Sequence, residues 1–338
     1  MAASRQNVAE TIAGIIARRP VLTPVLQAFA PLLEARASLP ETLKPLLAES
    51  GARLPAWNAA RAAQGAPLLA GESLAALAPA LRAAARVLLP LLTAQEGCAP
   101  HADALTAFFL PEEDGSKDDL APAGEGSAPT GGEERSAAAG KHGGTPVLAA
   151  EALLTGDGGA LEQAAEAAQL PPAVLVFALE MVLGPVLRAL AASSGTEPWE
   201  PVNAWSQGVC PVCGASPSIA WLSKPEFDEK NAYLAGGGGK KHLHCALCGT
   251  EWHFRRGTCP ACGKDGSGVM EILKESSQSQ GERVDWCTAC KSYCPVVDLR
   301  ERESVPHMAA QALGMLHLDM VAAGKGLRPL RPSFWNQF

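Results

Sequence analysis

Four Cys-x-x-Cys pairs constrain this chain more than anything else in it: Cys210/Cys213, Cys245/Cys248, Cys259/Cys262 and Cys287/Cys290. Two residues between cysteines let both thiolates of one tight turn point at the same ion. A second such turn completes a tetrahedral sulfur site, so eight sulfurs predict two ions. Gly214, Gly249 and Gly263 follow the second cysteine of three pairs, and Lys291 takes that place in the fourth. A glycine there adopts the positive φ that turns backbone N–H groups toward the sulfurs.

Two other uses of cysteine fit less well. Disulfides need an oxidising compartment. Met1 to Pro20 has a helical pattern and no uninterrupted apolar run behind basic residues, so no export signal is expected. The thiols are therefore expected in a reducing cytoplasm. A redox-active Cys-x-x-Cys would be one pair at a strand-to-helix turn, not four pairs in loop-rich sequence. The gaps Cys213 to Cys245 and Cys262 to Cys287 each leave room for a small sheet between two knuckles, as in rubredoxins and zinc ribbons. Sequential pairing, first with second and third with fourth, is preferred to an interleaved cross-brace, although spacing alone allows both.

The chain has 338 residues, a length that suggests about two domains. Alanine and leucine dominate the first half and aromatics are only 5%, which predicts helices there. The net charge of −7 disfavours a general nucleic-acid or anionic-membrane partner. No membrane span is expected. The most apolar run, Leu170 to Leu190, is interrupted by Pro171, Pro172, Glu180, Pro185 and Arg188 and reads as a buried helix.

Val8, Ile12, Ile15 and Ile16 fall at helical spacing, and a second helix follows Pro24, with a kink or split expected at Pro31. Leu43, Leu46, Leu47 and Leu54 extend a short helical or irregular stretch. Ser73 to Leu92 reads as a helix with breaks near Pro79 and Pro90. Ala149 to Ala168 and Ala173 to Ala192 read as two more. The second is apolar almost all round, as the central helix of a bundle would be. Pro111 to Gly144 is rich in Gly, Ser, Ala and charge, so it is expected to be mobile. Ser218–Leu222, His242–His244, Glu251–Arg255, Val269–Leu273 and Val296–Leu299 read as strands around the knuckles. Ser304 to Ala323 is a final helix, and the Arg/Pro/aromatic tail after Leu327 is expected to pack back on the body or meet a partner.

The resulting class is α+β. An all-helical domain over residues 1–197, with a mobile loop near 111–144, precedes rubredoxin-like modules at 198–256 and 257–303 and a C-terminal helix and tail at 304–338. The eight paired cysteines are the candidate metal ligands. His242, His244 and His253 stand close enough in sequence to replace one, and Cys294 is a spare thiol or alternative ligand. Cys98 reads as a small buried hydrophobe, and His101 and His142 as ordinary polar residues. A four-thiolate site has no open position for hydrolytic chemistry. Neither a nucleophile–base pair nor a phosphate loop is apparent, so the chain does not read as an enzyme.

CPVCGASP at Cys210–Pro217, HLHCALCGTEWHFRRGTCPACG at His242–Gly263 and WCTACKSYCPVVD at Trp286–Asp298 resemble FdhE-type formate dehydrogenase accessory proteins. The specific part is TEWHFRRGT between Cys248 and Cys259. The resemblance covers residues 195–325. It implies a helical N-terminal domain followed by two rubredoxin-like modules, and iron at the cysteine sites, with zinc able to take its place. It implies a cytoplasmic maturation factor whose partner is the catalytic subunit of formate dehydrogenase. A homodimer is left open. The insertion at 111–144, Gly236–Gly239 and the missing glycine after Cys290 depart from the pattern. Two other functions compete. A zinc-ribbon nucleic-acid binder would use Lys240, Lys241, Arg255, Arg256 and Lys264, and a rubredoxin-like electron carrier would need iron.

Overall fold

Asn7 starts the first helix by a reciprocal cap. Its side chain accepts from the Glu10 N–H at 2.8 Å while its own N–H donates to the Glu10 carboxylate at 3.0 Å. Helix α1 (Val8–Arg18) then buries Val8, Ile12 and Ile15. The coordinates are a computed structural model, which describes residues 4–111, 145–225, 239–275, 279–333 and 335–336. The stretch expected to be mobile lies outside these residues apart from Pro111, as do His142 and Gly236–Gly238.

Helix α2 (Thr23–Glu49) runs on through Pro31, Pro40 and Pro45, so of the kink or split expected at Pro31 the split does not occur, and the helix absorbs the stretch around Leu43 and Leu47. Each proline removes one backbone hydrogen bond, but the helix buries Leu26, Phe29, Leu32, Leu33, Leu39, Leu43 and Leu47. At about 1.5–3 kcal/mol per fully buried apolar side chain, that stripe outweighs the lost bonds. After the short α3 (Ala59–Ala63), α4 (Ala78–Thr93) begins with Pro79 in its first turn, where no N–H is needed. Pro90 lies inside it without ending it. Helix α5 (Ala102–Phe109) follows.

The single helix expected over Ala149–Ala168 is two, α6 (Pro146–Thr155) and α7 (Gly158–Ala167). Gly156 ends the first in the left-handed region at φ 72°, and the Asp157 side chain caps the second. Helix α8 (Pro172–Ser193) sits where its all-round apolarity requires, against α2, α4, α6 and α7. It and Ala75–Thr93 are long and apolar enough to cross a membrane by length and composition, but most of α8 is enclosed by these neighbours.

The second half is one mixed sheet. Strands β1 (Pro217–Leu222), β2 (Lys241–Cys245) and β3 (Glu251–Phe254) form an antiparallel set. Strands β4 (Met270–Leu273), β5 (Glu282–Cys287) and β6 (Ser292–Asp298) form another. Parallel pairing of Ala220–Leu222 with Val296–Asp298 joins them in the order β3-β2-β1-β6-β5-β4. Each set repeats one plan: knuckle, two strands, knuckle, strand.

Alternation along the strands divides the sheet's two faces. Ala220, Leu222, Leu243, Trp252, Phe254 and Val296 belong to a core continuous with the helices. Ile219, Val284, Tyr293 and Val297 pack on α9 (Met308–Gly314) and α10 (Leu316–Gly324). A single helix was expected over Ser304–Ala323. The break at Met315 lets α9 lie against α1 while α10 lies on β5 and β6.

The tail does pack back. Strand β7 (Arg328–Pro329) pairs with β6, Arg331 pairs with Glu180 of α8, and Trp335 meets Phe29 edge-on with centroids 5.7 Å apart. An ionic hub closes the other side. The fully buried Glu282 of β5 pairs with Arg18 at 3.2 Å, Arg19 at 2.6 Å and Arg302 at 2.7 Å, and accepts from Gln311 at 2.9 Å.

Candidate metal centres

Backbone geometry builds each knuckle. In the first three, the N–H four residues after the leading cysteine donates to that cysteine's carbonyl: Gly214 to Cys210 at 2.9 Å, Gly249 to Cys245 at 3.2 Å and Gly263 to Cys259 at 3.0 Å. All three glycines have φ between 71° and 77°. Lys291 makes the same bond to Cys287 at 2.9 Å and takes the same region at φ 62°. The fourth knuckle therefore forms without glycine, at the cost of a left-handed lysine.

The knuckles gather sequentially. Cys210, Cys213, Cys245 and Cys248 form one quartet, and Cys259, Cys262, Cys287 and Cys290 the other, with the sulfurs of each within 4.8 Å of one another. Sulfur separations are 3.5 Å for Cys210–Cys248 and Cys213–Cys245, 3.6 Å for Cys213–Cys248 and Cys259–Cys290, and 3.8 Å for Cys262–Cys287. A tetrahedron of metal–sulfur bonds of about 2.3 Å has an edge of about 3.8 Å. The quartets thus fit a thiolate-bound ion, and an all-sulfur donor set suits zinc or iron rather than magnesium or calcium.

The proton balance also suits a cation. In the first quartet burial would raise the Cys245 thiol, but hydrogen bonds from Cys210, Cys213 and Cys248 hold it well below the ordinary value, while burial pushes Cys210 up. In the second, burial is outweighed at Cys290 by the Ser292 hydroxyl and N–H and by Cys259 and Cys287, bringing it down to about 6. Burial pushes Cys259 up to about 12. Within each quartet the thiol held lowest, Cys245 or Cys290, is the first to ionise, and a bound cation displaces the protons that remain.

The quartets differ in surroundings. All four cysteines of the first are buried, whereas Cys262 is exposed and Cys290 half-buried in the second. The helical half holds the first on several sides. The Leu68 and Leu69 N–H groups donate to the Pro211 and Val212 carbonyls at 2.8 and 3.0 Å. Gly184 of α8 lies so near the Leu247 carbonyl that a Cβ would sit 2.7 Å from it. Arg188 Nε donates to the Cys248 carbonyl at 3.4 Å, and Arg36 of α2 lies beside Gly184. Burial, then the charge of Arg188, lowers Arg36 to about 10. Sequence reasoning missed both arginines, because nothing near them marks a site.

The remaining candidates stand apart from the quartets. His242 stacks on Trp221 at 4.0 Å and meets His253 edge-on, and His244 Nδ1 faces Glu251 at 3.3 Å. Cys294 is buried beside its own strand and pushed up to about 12 by burial, and Cys98 is buried among helices. Of the basic residues near the knuckles, Lys241 is buried against Asp285 at 2.9 Å, Arg255 pairs with Asp265, and Arg256 donates to the Gly239 carbonyl.

Known proteins resemble both the sequence and the fold. A Shewanella baltica (strain OS185) protein named Protein FdhE homolog is 33% identical over 128 residues, 37% of this chain and 38% of the relative. An Aquifex aeolicus (strain VF5) protein of the same name is 28% identical over 131 residues, 38% of this chain and 42% of the relative. The crystal structure of the FdhE protein from Pseudomonas aeruginosa matches with a TM-score of 0.56 at 20% identity, over 96% of this chain and 93% of that one. The chain resembles FdhE proteins over part of its sequence and in its fold. Its sequence matches span well under half the length of these curated relatives, while the FdhE fold extends over nearly all of it. No protein-family model matches the chain.

Proposed function

We propose that this chain is an FdhE-type accessory factor for the maturation of formate dehydrogenase, acting in the cytoplasm on the catalytic subunit without catalysis of its own. The eight paired cysteines are its metal ligands, holding two ions, with iron the first choice and zinc able to replace it. The observation that carries the reading is two sulfur quartets of tetrahedral dimensions on one FdhE-like fold. Closed tetrathiolate sites shape a surface or change charge with the metal's oxidation state, and leave no position for a substrate. Lys241 is buried against Asp285 and Arg256 donates to the Gly239 carbonyl, which takes two of the five basic residues out of the nucleic-acid alternative.

The test joins metal analysis to maturation. Cys245→Ser/Cys248→Ser should lower the metal content of the purified chain from two ions to one, leave the helices folded, and impair formate dehydrogenase maturation in cells lacking their own accessory factor. Co-purification of the catalytic subunit with the wild-type chain should accompany it. Normal maturation by the variant would remove the metal module from the task.

A further inference from the structure

Arg36 and Arg188 reach the first quartet from two helices, α2 and α8, and neither has a carboxylate within ion-pair distance among the described residues. Arg36 Nε is enclosed and has no hydrogen-bond partner. Glu180 near Arg36 also pairs with Arg331, and Glu251 near Arg188 also faces His244 and Arg5, so neither carboxylate belongs to the arginine alone. Two cations drawn partly out of water need a counter-charge, and desolvated charges left unbalanced are expensive. Four thiolates around a divalent ion carry a net charge of −2, so the loaded quartet supplies what the arginines lack. The match is spatial as well. A Cβ at Gly249, inside the second knuckle, would collide with the Arg188 guanidinium.

The second quartet has a different setting. Gly208, just before the first knuckle, lies against Pro260, and Arg328 of the tail donates to the Cys290 carbonyl at 3.3 Å. Cys262 is exposed, so solvent and chelating groups reach the sulfur cage directly.

We infer that the two quartets have different tasks. The first is a permanent lock, in which Arg36 and Arg188 balance a divalent tetrathiolate centre and bind the helical half to the sheet. The second is the exchangeable centre, which gives up and takes back its ion from solution. Loss of the first ion returns protons to the sulfurs, removes the counter-charge and loosens the seam along α8. Loss of the second leaves that seam closed. This division rests on the quartets being metal sites, and not on the identity of any client.

The full chain is loaded anaerobically with two equivalents of zinc. Release to a chromogenic chelator is then followed alongside native mass spectrometry. One ion should leave about 10–100-fold faster than the other, the range typical of groups that support metal ligands. Cys259→Ser/Cys262→Ser should abolish the fast phase and keep the slow one. Arg36→Gln/Arg188→Gln should accelerate the slow phase about tenfold, and Arg36→Lys/Arg188→Lys, which keeps the charge, should lie between. Chymotrypsin should cleave after Trp199 or Trp205, both buried in the loaded chain, only after the slow ion has gone. Both ions leaving at one rate overturns the proposal, as does a fast phase that survives in Cys259→Ser/Cys262→Ser. These two arms hold even where the arginine variants do not fold. A slow phase unchanged in a folded Arg36→Gln/Arg188→Gln also overturns it. A chain that takes up no ion defeats the metal reading itself, whereas two ions leaving together defeats this division alone.

Discussion

Gly184→Ala pits a local preference against a tertiary contact. Gly184 lies inside α8, where alanine is intrinsically better by about 0.8–1.0 kcal/mol. The new Cβ, however, would stand 2.7 Å from the Leu247 carbonyl oxygen and would also strike the Arg36 guanidinium. Arg36 can swing aside. The oxygen cannot, because it belongs to the backbone of the Cys245–Cys248 knuckle. Overpacking of this kind costs about 1–3 kcal/mol, and a rigid obstacle belongs at the upper end. The net expectation is a loss of about 1–2 kcal/mol, opposite in sign to the helix scale. Gly14→Ala in α1 is the control, since its Cβ would meet nothing closer than Arg18 Nη1 at 3.5 Å. That variant should gain up to about 1 kcal/mol. Urea unfolding of both variants, followed by helical circular dichroism on the metal-loaded chain, reads the two signs. Gly184→Ala as stable as wild type, or more so, would refute the close approach of α8 to the knuckle.

Three further outcomes are expected. Burial, then the charge of Arg188, lowers His307 from 6.5 to about 4, so the unfolded chain binds the extra proton first and this contribution is lost as pH falls from 6.5 through 4. His307→Asn, which keeps a side-chain acceptor for the Ala310 N–H, should flatten the acid limb of a stability–pH curve by at most about 3 kcal/mol, and superimposable curves would count against it. Glu282→Gln leaves Arg18, Arg19 and Arg302 without their shared counter-charge. It should cost about 3–5 kcal/mol in urea unfolding and speed amide exchange in α1, whereas a loss below about 1 kcal/mol would show the hub to be idle. Cys294→Ala, at a buried sulfur outside both quartets, should retain two ions by native mass spectrometry; retention of one would make Cys294 a ligand.

Local chemistry accounts for what was readable along the chain. The Cys-x-x-Cys spacing and following glycines announced the knuckles, because a tight turn imposes its dihedrals within five residues. The uniform apolarity of Val174 to Leu190 announced a central helix. Strand β5 was missed because its polar residues are satisfied only in three dimensions. Glu282 lies in the hub and Asp285 meets Lys241, which also disguised the start of β2. Pro31 suggested a kink or split, and the packing of α2 carries the helix through it.

The chain's own order of residues therefore determined that eight sulfurs would be presented in pairs, and that a helical half would precede them. Antiparallel pairing of β1 with β2 and of β4 with β5 brought each pair of knuckles together, and α2 and α8 closing over the first knuckles left one centre enclosed while the other faces water. Turn geometry is a short-range property of neighbouring residues, whereas burial and charge balance depend on side chains such as Arg36 and Arg188 that lie far away along the chain.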